Sequence, residues 1–348
     1  MSKEVINIYI NPNADLSTYP DQLLYDDMSV FDGYREEVQW LFYLMLREQG
    51  LDVRICHEYP QKGIFVIFKG NVDGFKWNPD LFVVSLQWDY PRDDRAQVHL
   101  VSNTYSTTEA SMGWLDRISL RGYPFYVSEV THPVIIPRDP KRGDRFENIT
   151  YIGDTRNLDD AFKTDSFRKR LQDMGMKFII HDKPQSMPDY SEVDAVIAVR
   201  RFGQIISNKP PTKLINAWRG GVPALLGCEI GYREARNSCY DYIEVDSIED
   251  VYNGLARLKN DIEFRKRMVE MERQRMGPYM PDQVSATWAS FFSQTIIPIY
   301  HEWETRSRLS RWAFLLIRWM RYVARESMSI LWRQVLRRRS RNYINKKR

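Results

Sequence analysis

The segment 209–223 constrains the fold of this chain more than any other part of it. It starts as a loop with two prolines, and its residue types then predict a short helix over about 212–219, which Gly220-Gly221 ends. The apolar run at 222–226 that follows is typical of a buried strand. A helix that leads directly into a buried strand indicates an α/β protein.

Lys213 lies in the first turn of that predicted helix. A positive charge is unfavourable there, because the positive end of the helix macrodipole lies at the same place. Such a lysine is explained if an anion binds beside it, since free backbone N–H groups and the ammonium can share a phosphate. The segment therefore predicts a phosphate-binding site.

Strands and helices alternate along both halves of the chain, which predicts parallel sheets with ligands at the carboxyl ends of their strands. A polar piece with two prolines and a glycine, 137–148, is typical of a linker between the halves. The first half predicts strands at 4–10, 52–56, 63–69, 81–87 and 98–102, with a helix at 34–49. The second predicts strands at 149–152, 177–181, 194–199, 222–226 and 240–245, and helices at 158–174, 212–219, 248–258 and 262–276.

The charge is distributed unevenly along the chain. The net charge of +4 hides a C-terminal segment, 306–348, with 14 lysines and arginines and one glutamate, so the preceding 305 residues carry a net charge of −9. A basic tail on an acidic body indicates an anionic partner for the tail alone. Three cysteines without a Cys-x-x-Cys pair favour neither a disulfide framework nor a zinc site. The first residues predict a strand and not a signal peptide, so we expect a cytoplasmic protein.

The tail has an amphipathic helical pattern. Its longest apolar run is far shorter than the roughly 20 residues that span a bilayer, so we expect it to lie on an anionic membrane surface. A partner helix or RNA is the alternative, but the acidic body and the lack of a nucleic-acid module argue against RNA. On a helical projection the basic face holds Arg311, Arg318, Arg321, Arg325 and Arg333, and the opposite face holds Trp312, Leu316, Trp319, Met320, Val323, Ile330 and Leu331.

Four pieces of the second half together resemble the donor domain of GT-B glycosyltransferases. They are Tyr151-Ile-Gly-Asp154, Lys213-Leu-Ile-Asn-Ala-Trp-Arg-Gly-Gly-Val-Pro223, the strand and helix at 242–258, and Asp261-Ile-Glu-Phe-Arg-Lys-Arg-Met268. Their order and spacing carry the resemblance over about 149–277, a third of the chain.

The resemblance implies a GT-B fold, in which two Rossmann-like domains with parallel sheets face a cleft and the donor is a nucleotide-diphosphate sugar. A late helix would cross back to the first domain. The domains expected on this basis are an acceptor-side domain at 1–136, a linker at 137–148, a donor domain at 149–280, a crossing helix at 281–305 and a basic amphipathic tail at 306–348.

The resemblance also implies roles for residues near the donor diphosphate. Gly153 would let the diphosphate approach the backbone, although an ordinary glycine turn is an equal interpretation. Lys213 would pair with the diphosphate, and Arg200 is a slightly better candidate for a phosphate contact than Arg201. Lys209 is either a second contact or a plain loop lysine.

One departure from the family pattern concerns two glutamates that many retaining members carry eight positions apart. Asn208 and Asn216 stand at those positions here. Asn216 can still hydrogen-bond a ribose hydroxyl, but as a neutral amide it binds more weakly than a carboxylate. The loop after the next strand offers Glu229 for hydroxyl groups and Gly231 and Tyr232 for the diphosphate, with a surface loop as the alternative.

The sequence marks no single residue as the catalytic base. Asp32 and Glu36, before and at the start of the first long helix, and Asp89, after a predicted strand, are weak candidates for a general base. The histidines do not have the spacing of metal ligands, and no Asp-x-Asp motif follows a predicted strand. We therefore expect no metal and no cofactor.

Together these features predict a metal-independent glycosyltransferase at the cytoplasmic membrane face. Its partners would be a nucleotide sugar, a glycan or lipid-linked acceptor and an anionic membrane surface, without nucleic acid. The alternative is a non-catalytic GT-B-like subunit that binds a nucleotide or glycan.

Overall fold

The structure of the protein is a computed structural model that describes residues 4–17, 19–23, 35–68, 76–88, 93–108, 111, 123–128, 134–183, 188–324 and 327. Within these residues the chain forms two parallel sheets, one in each half, with helices packed against them.

The first sheet has six described strands in the order β2-β1-β3-β4-β5-β6, all parallel. Its central strands are mostly apolar and are buried along nearly their whole length, as expected where both faces of a parallel sheet are covered. The elements are β1 (Ile6–Tyr9), α1 (Arg35–Glu48), β2 (Val53–Cys56), β3 (Gly63–Phe68), β4 (Leu81–Trp88), β5 (Val98–Val101) and β6 (Tyr123–Tyr126).

The second sheet has five described strands in the order β11-β10-β9-β7-β8, also parallel. Local signals set its helix ends: Ser247 and Asp250 form a capping box, and Gly221 ends a helix in the left-handed region at φ 66°. The strands are β7 (Asn148–Ile152), β8 (Lys177–His181), β9 (Ala195–Ala198), β10 (Ala224–Leu226) and β11 (Ile243–Glu244). The helices are α2 (Asp165–Asp173), α3 (Thr212–Gly220), α4 (Ile230–Ala235), α5 (Ile248–Asn260) and α6 (Ile262–Arg275).

The chain then returns to the first half. Helix α7 (Pro281–Phe291), a π-helical turn (Phe292–Ile296) and helix α8 (Ile297–Thr305) place Trp288, Phe292 and Trp303 in the core of the first sheet. The Trp288 indole donates to the Ser128 carbonyl at 2.9 Å. Two parallel-stranded α/β domains joined by such a return are the GT-B architecture, and the predicted fold class is confirmed.

The segment predicted to be a linker packs on the second domain. It contains a 3₁₀ turn, Pro140–Arg142, and two of its arginines bind one buried carboxylate. Arg138 Nε donates to Asp194 Oδ1 at 3.0 Å, and Arg142 Nη2 donates to Asp194 Oδ2 at 2.8 Å. These bonds attach the segment to the second domain.

The last described helix, α9, runs over 308–324 and lies against the first domain. Of the residues predicted for the two faces of the tail helix, Arg325, Ile330, Leu331 and Arg333 lie outside the described residues. Arg318 and Arg321 are buried against the domain, whereas Trp312, Leu316 and Met320 are exposed. None of the helices in the described part of the chain is long and apolar enough to cross a bilayer.

Candidate functional site

Four pieces of the second domain meet at the carboxyl edge of its sheet. They are the turn after β7, the residue pair after β9, the start of α3, and the loop between β10 and α4. Strands β7 and β10 both pair with β9. Residues that are far apart in sequence therefore lie side by side at this edge, where ligands bind in parallel α/β sheets.

The Lys213 side chain points from the first turn of α3 to the turn after β7. Its ammonium donates to the Ile152 carbonyl and lies 4.7 Å from the centre of the Tyr151 ring. The residue before α3, Pro211, gives the helix no side-chain cap. The lysine thus adds its charge to a helix start that no side chain closes.

Gly153 makes this approach possible. Its φ is +134°, a backbone conformation that residues with a side chain rarely adopt. A Cβ at this position would lie 2.5 Å from Lys213 Nζ, closer than any real contact. The turn therefore favours glycine, and a side chain at this position would require the flexible end of the Lys213 side chain to move.

Burial gives the Lys213 ammonium an unusual pKa. Desolvation and the nearby Arg200 charge lower the pKa to about 8, against the opposing effect of Glu229 and Asp154. Because this ammonium is partly desolvated and lies near a second cation, an anion that binds beside it would stabilise its charged form.

Arg200 follows β9 and pairs with Glu229. Its Nε donates to Glu229 Oε1 at 3.1 Å, and Glu229 is only 2% exposed. Burial raises the pKa of the Glu229 carboxyl, although Arg200 and Lys213 favour its ionised form. Among the described residues the second oxygen, Oε2, has no hydrogen-bond partner. This oxygen is available to a hydroxyl or amide donor of a ligand.

Tyr151 and Asp154 belong to the site, although neither was proposed from the sequence. The Tyr151 hydroxyl donates to the Asp154 carbonyl at 2.7 Å, and burial raises the pKa of this tyrosine to about 12. Asp154 pairs with Arg156, which lowers the pKa of the aspartate to about 2. The Tyr-x-Gly-Asp pattern was the available signal, but only its glycine was singled out.

The remaining donor-site candidates lie close to this cluster in different ways. Asn216, one turn along α3 from Lys213, has a buried Oδ1 without a hydrogen-bond partner in the described part of the chain. Gly231 contacts the loop before α3, since a Cβ there would lie 2.5 Å from the Lys209 carbonyl oxygen. Tyr232 is buried with its ring 6.1 Å from that of Tyr242. Arg201 is exposed.

The first domain reaches this site through the loop after β5. The Asn103 side-chain amide donates to the Ser207 carbonyl at 2.7 Å and to the Lys209 carbonyl at 3.1 Å. Ser102 Oγ donates to the Asn208 carbonyl at 2.9 Å. The segment that leads into α3 is therefore held from across the cleft.

Glu234 of α4 makes the reverse contact. Its two carboxylate oxygens accept from the backbone N–H groups of Thr104 and Tyr105, at 2.8 and 2.5 Å. We call this set of contacts, from residues 102–105 to residues 207–209 and 234, the domain bridge. Its amide and carboxylate side chains carry no sequence pattern that marks them as bridging residues.

Asp32 and Asp89 lie outside the described residues, and Glu36 lies in α1 with a side chain outside them. Trp88, next to Asp89, has φ 49°, the one positive value among the described residues other than glycine. Among the described residues no three His, Cys, Asp or Glu side chains are grouped to hold a metal ion.

The fold and this site define a GT-B-type α/β protein with two half-buried cationic side chains, Lys213 and Arg200, at the edge of its second sheet. No protein-family model matches the chain, and no curated protein sequence matches it. Solved structures with a similar fold do exist.

Sucrose-phosphate synthase from Thermosynechococcus elongatus is 13% identical over 63% of this chain and 69% of that chain, with a TM-score of 0.43. A TarM variant of S. aureus, in complex with fondaparinux, α-GlcNAc-glycerol and UDP, is 12% identical over 74% of this chain and 59% of that chain, with a TM-score of 0.45. Anabaena Alr3699/HepE, in complex with UDP and glucose, is 10% identical over 62% of this chain and 72% of that chain, with a TM-score of 0.39. These proteins are GT-B glycosyltransferases, and the similarity concerns the fold.

Proposed function

We propose that this protein is a glycosyltransferase that transfers a sugar from a nucleotide-diphosphate sugar to a glycan or lipid-linked acceptor. The observation that carries the proposal is the Lys213 ammonium beside the Gly153 turn, where a Cβ would lie 2.5 Å from it. The Gly153 turn, the uncapped start of α3 and the desolvated Lys213 ammonium lie next to one another. A diphosphate is a ligand that could interact with all three.

The chemistry follows from where charge develops. When the bond between the anomeric carbon and the diphosphate oxygen breaks, negative charge grows on the leaving phosphate. Lys213 and the partly exposed Arg200 are held in place before the reaction, Lys213 by the Ile152 carbonyl and Arg200 by Glu229. Cations that need no rearrangement stabilise such a leaving group most effectively. In this proposal they supply the charge that a divalent ion supplies in metal-dependent transferases.

The polar atoms left unpaired around the cations suit the rest of the donor. Asn216 Oδ1 and Glu229 Oε2 are buried acceptors without partners among the described residues. Hydroxyl groups of a ribose or a sugar are donors that match them. We assign these two atoms to donor binding and the first domain to acceptor binding.

The Lys213→Ala variant tests the proposal. Titration calorimetry with UDP, GDP and TDP sugars should give saturable binding of at least one donor to the natural protein. Loss of the ammonium should weaken that binding by about 2 kcal/mol, or roughly 30-fold in Kd. Lys169→Ala, which removes an exposed lysine of α2, is the matched control and should bind like the natural protein.

Two results count against the proposal. Donor binding that is equal in the Lys213→Ala and Lys169→Ala proteins would remove the diphosphate from this site. Binding without any donor hydrolysis or transfer would favour a non-catalytic nucleotide-binding subunit, an alternative supported by Asn208 and Asn216 in place of the family's two glutamates.

A further inference from the structure

Helix α9 is attached to the first domain by its arginines. Arg318, only 1% exposed, donates from Nη1 to the Ala96 carbonyl at 2.5 Å, and Arg321 forms an ion pair with the buried Asp94. At the start of the helix Arg311 donates to the Pro79 carbonyl at 3.2 Å. The arginines on the charged face of this amphipathic helix therefore make contacts within the protein.

Apolar side chains of α9 pack beside these arginines. Leu315 is buried, and the Phe314 ring lies 5.2 Å from the Trp303 ring and 4.3 Å from the Arg318 guanidinium carbon. These contacts fix the orientation of α9 about its own axis, and this orientation determines which face of the helix is exposed to solvent.

The outward face of α9 has no charged residue from 312 to 324. Every exposed residue in that stretch is apolar or aromatic, and the large ones range from 40% exposed at Val323 to 55% at Leu316. A contiguous apolar surface of this kind on a folded protein marks an interaction site. We call it the apolar strip; its members are Trp312, Ala313, Leu316, Ile317, Trp319, Met320, Tyr322, Val323 and Ala324.

We propose that the apolar strip inserts into the surface of an anionic lipid bilayer, with α9 lying in the plane of the membrane. Its 17 described residues give a length of about 25 Å at 1.5 Å per residue. Its mixture of Trp, Tyr, Leu, Ile and Met is the composition that settles at the boundary between headgroups and acyl chains.

Two observations beside the strip select anionic lipid. The sequence that continues from it, 325–348, holds nine lysines and arginines and one glutamate. At the other end of α9, a cavity of about 710 Å³ is lined by Trp312, by the basic residues Lys62, Lys76 and Arg308, and by the acidic residues Glu58 and Asp80. Arg308 pairs with Asp80 at 3.4 Å. Basic residues outnumber acidic ones both in the sequence that follows the strip and in the lining of this cavity, and they can bind phosphate headgroups while the strip enters the hydrocarbon.

The same observations disfavour a second copy or another protein as the occupant. A symmetric dimer through the strip would bring two segments with a net charge of +8 together, which costs free energy at ordinary ionic strength. Protein interfaces also form about one hydrogen bond per 100–200 Å², whereas the strip offers only indole N–H groups and one tyrosine hydroxyl as polar side-chain groups.

Vesicle co-sedimentation of the full chain tests the inference. The natural protein should bind vesicles of phosphatidylcholine with one third phosphatidylglycerol, bind pure phosphatidylcholine more weakly, and lose part of its binding as salt is raised. The double variant Leu316→Glu and Met320→Glu should reduce binding to the anionic vesicles by at least about tenfold, because two charges then oppose burial in hydrocarbon. Both positions are exposed, so the fold should be retained.

Ile262→Glu is the matched control, since it places one acidic residue on another exposed isoleucine, at the first position of α6. Its vesicle binding should equal that of the natural protein. Equal binding by the double variant would show that the basic segment alone contacts lipid and would overturn the inference. So would a lipid-free dimer, detected by sedimentation equilibrium, that the double variant abolishes. Neither readout involves the donor site, so failure here leaves the proposed function untouched.

Discussion

Gly153 and Lys213 show how one missing side chain can define a site. The glycine has a φ that disfavours other residues, and its bare Cα leaves the space in which the Lys213 ammonium binds the Ile152 carbonyl. Backbone conformation and charge placement are therefore coupled at a single position. A larger residue there should disturb both together.

The Gly153→Ala variant separates this role from that of an ordinary turn. The new methyl group should displace Lys213 and weaken donor binding about tenfold or more, with a loss of about 1–2 kcal/mol in the free energy of unfolding. Calorimetric titration with the best donor and urea unfolding measure the two effects.

Gly175 offers a closely matched control for that experiment. It also has a positive φ, +67°, and a Cβ there would lie 2.7 Å from the ammonium of another lysine, Lys259. Gly175→Ala should be destabilised to a similar extent but bind donor normally. A Gly153→Ala protein that binds donor as well as the Gly175→Ala protein would show that Gly153 serves only the turn.

The pKa of Lys213 predicts how donor binding depends on pH. In the empty site it is about 8, so the ammonium is mostly present below pH 8 and is lost above it. A bound diphosphate favours the charged form, and the donor Kd should therefore rise between pH 7 and 9, approaching about tenfold per pH unit above the pKa. Calorimetry across that range measures it.

Lys213→Arg provides the comparison for the pH experiment, because a guanidinium stays protonated throughout this range. Its donor Kd should be nearly constant between pH 7 and 9, whatever its absolute value. Parallel pH profiles for the two proteins would assign the titration to another group.

At the scale of elements, local signals predicted much of the second domain. The helix α3 ends at Gly220 with Gly221 as its left-handed cap, and the capping residues Ser247 and Asp261 begin α5 and α6. These features depend on neighbours within four residues, which a sequence displays directly. The parallel direction of the strands was predicted from strand–helix alternation, whereas their order in the sheet was not predicted.

The contacts between distant elements could not be predicted in this way. The sequence of α9 defines a basic face and an apolar face, but the choice of which face meets the protein depends on Asp94 and the Ala96 carbonyl, more than two hundred residues away. Tyr151 was missed because, in the sequence, a buried tyrosine in a strand cannot be distinguished from any other core residue. Only the contact of its ring with the Lys213 ammonium shows that it belongs to the site.

At the scale of the whole molecule, the domain bridge connects the first domain to the proposed donor site. Asn103 is fully buried and donates to two carbonyls of the segment just before α3. The same side chain accepts from the Ser106 N–H at 2.9 Å, so its rotamer is fixed within its own domain. The position of the segment that leads into α3 thus depends on the relative position of the two domains.

The Asn103→Ala variant tests that dependence. It removes both hydrogen bonds to the 207–209 segment and leaves two partly buried carbonyls unpaired, so this segment should open more often. Hydrogen exchange of amides at 205–211 and at 102–107 should accelerate on both sides of the cleft, and the donor Kd should rise several-fold. Asn78→Ala, which removes an amide that donates to the Gln61 carbonyl within one domain, is the control and should leave 205–211 unchanged. If Asn103→Ala changes exchange only at 102–107, the bridge does not hold the donor segment, and each domain sets its half of the cleft by itself.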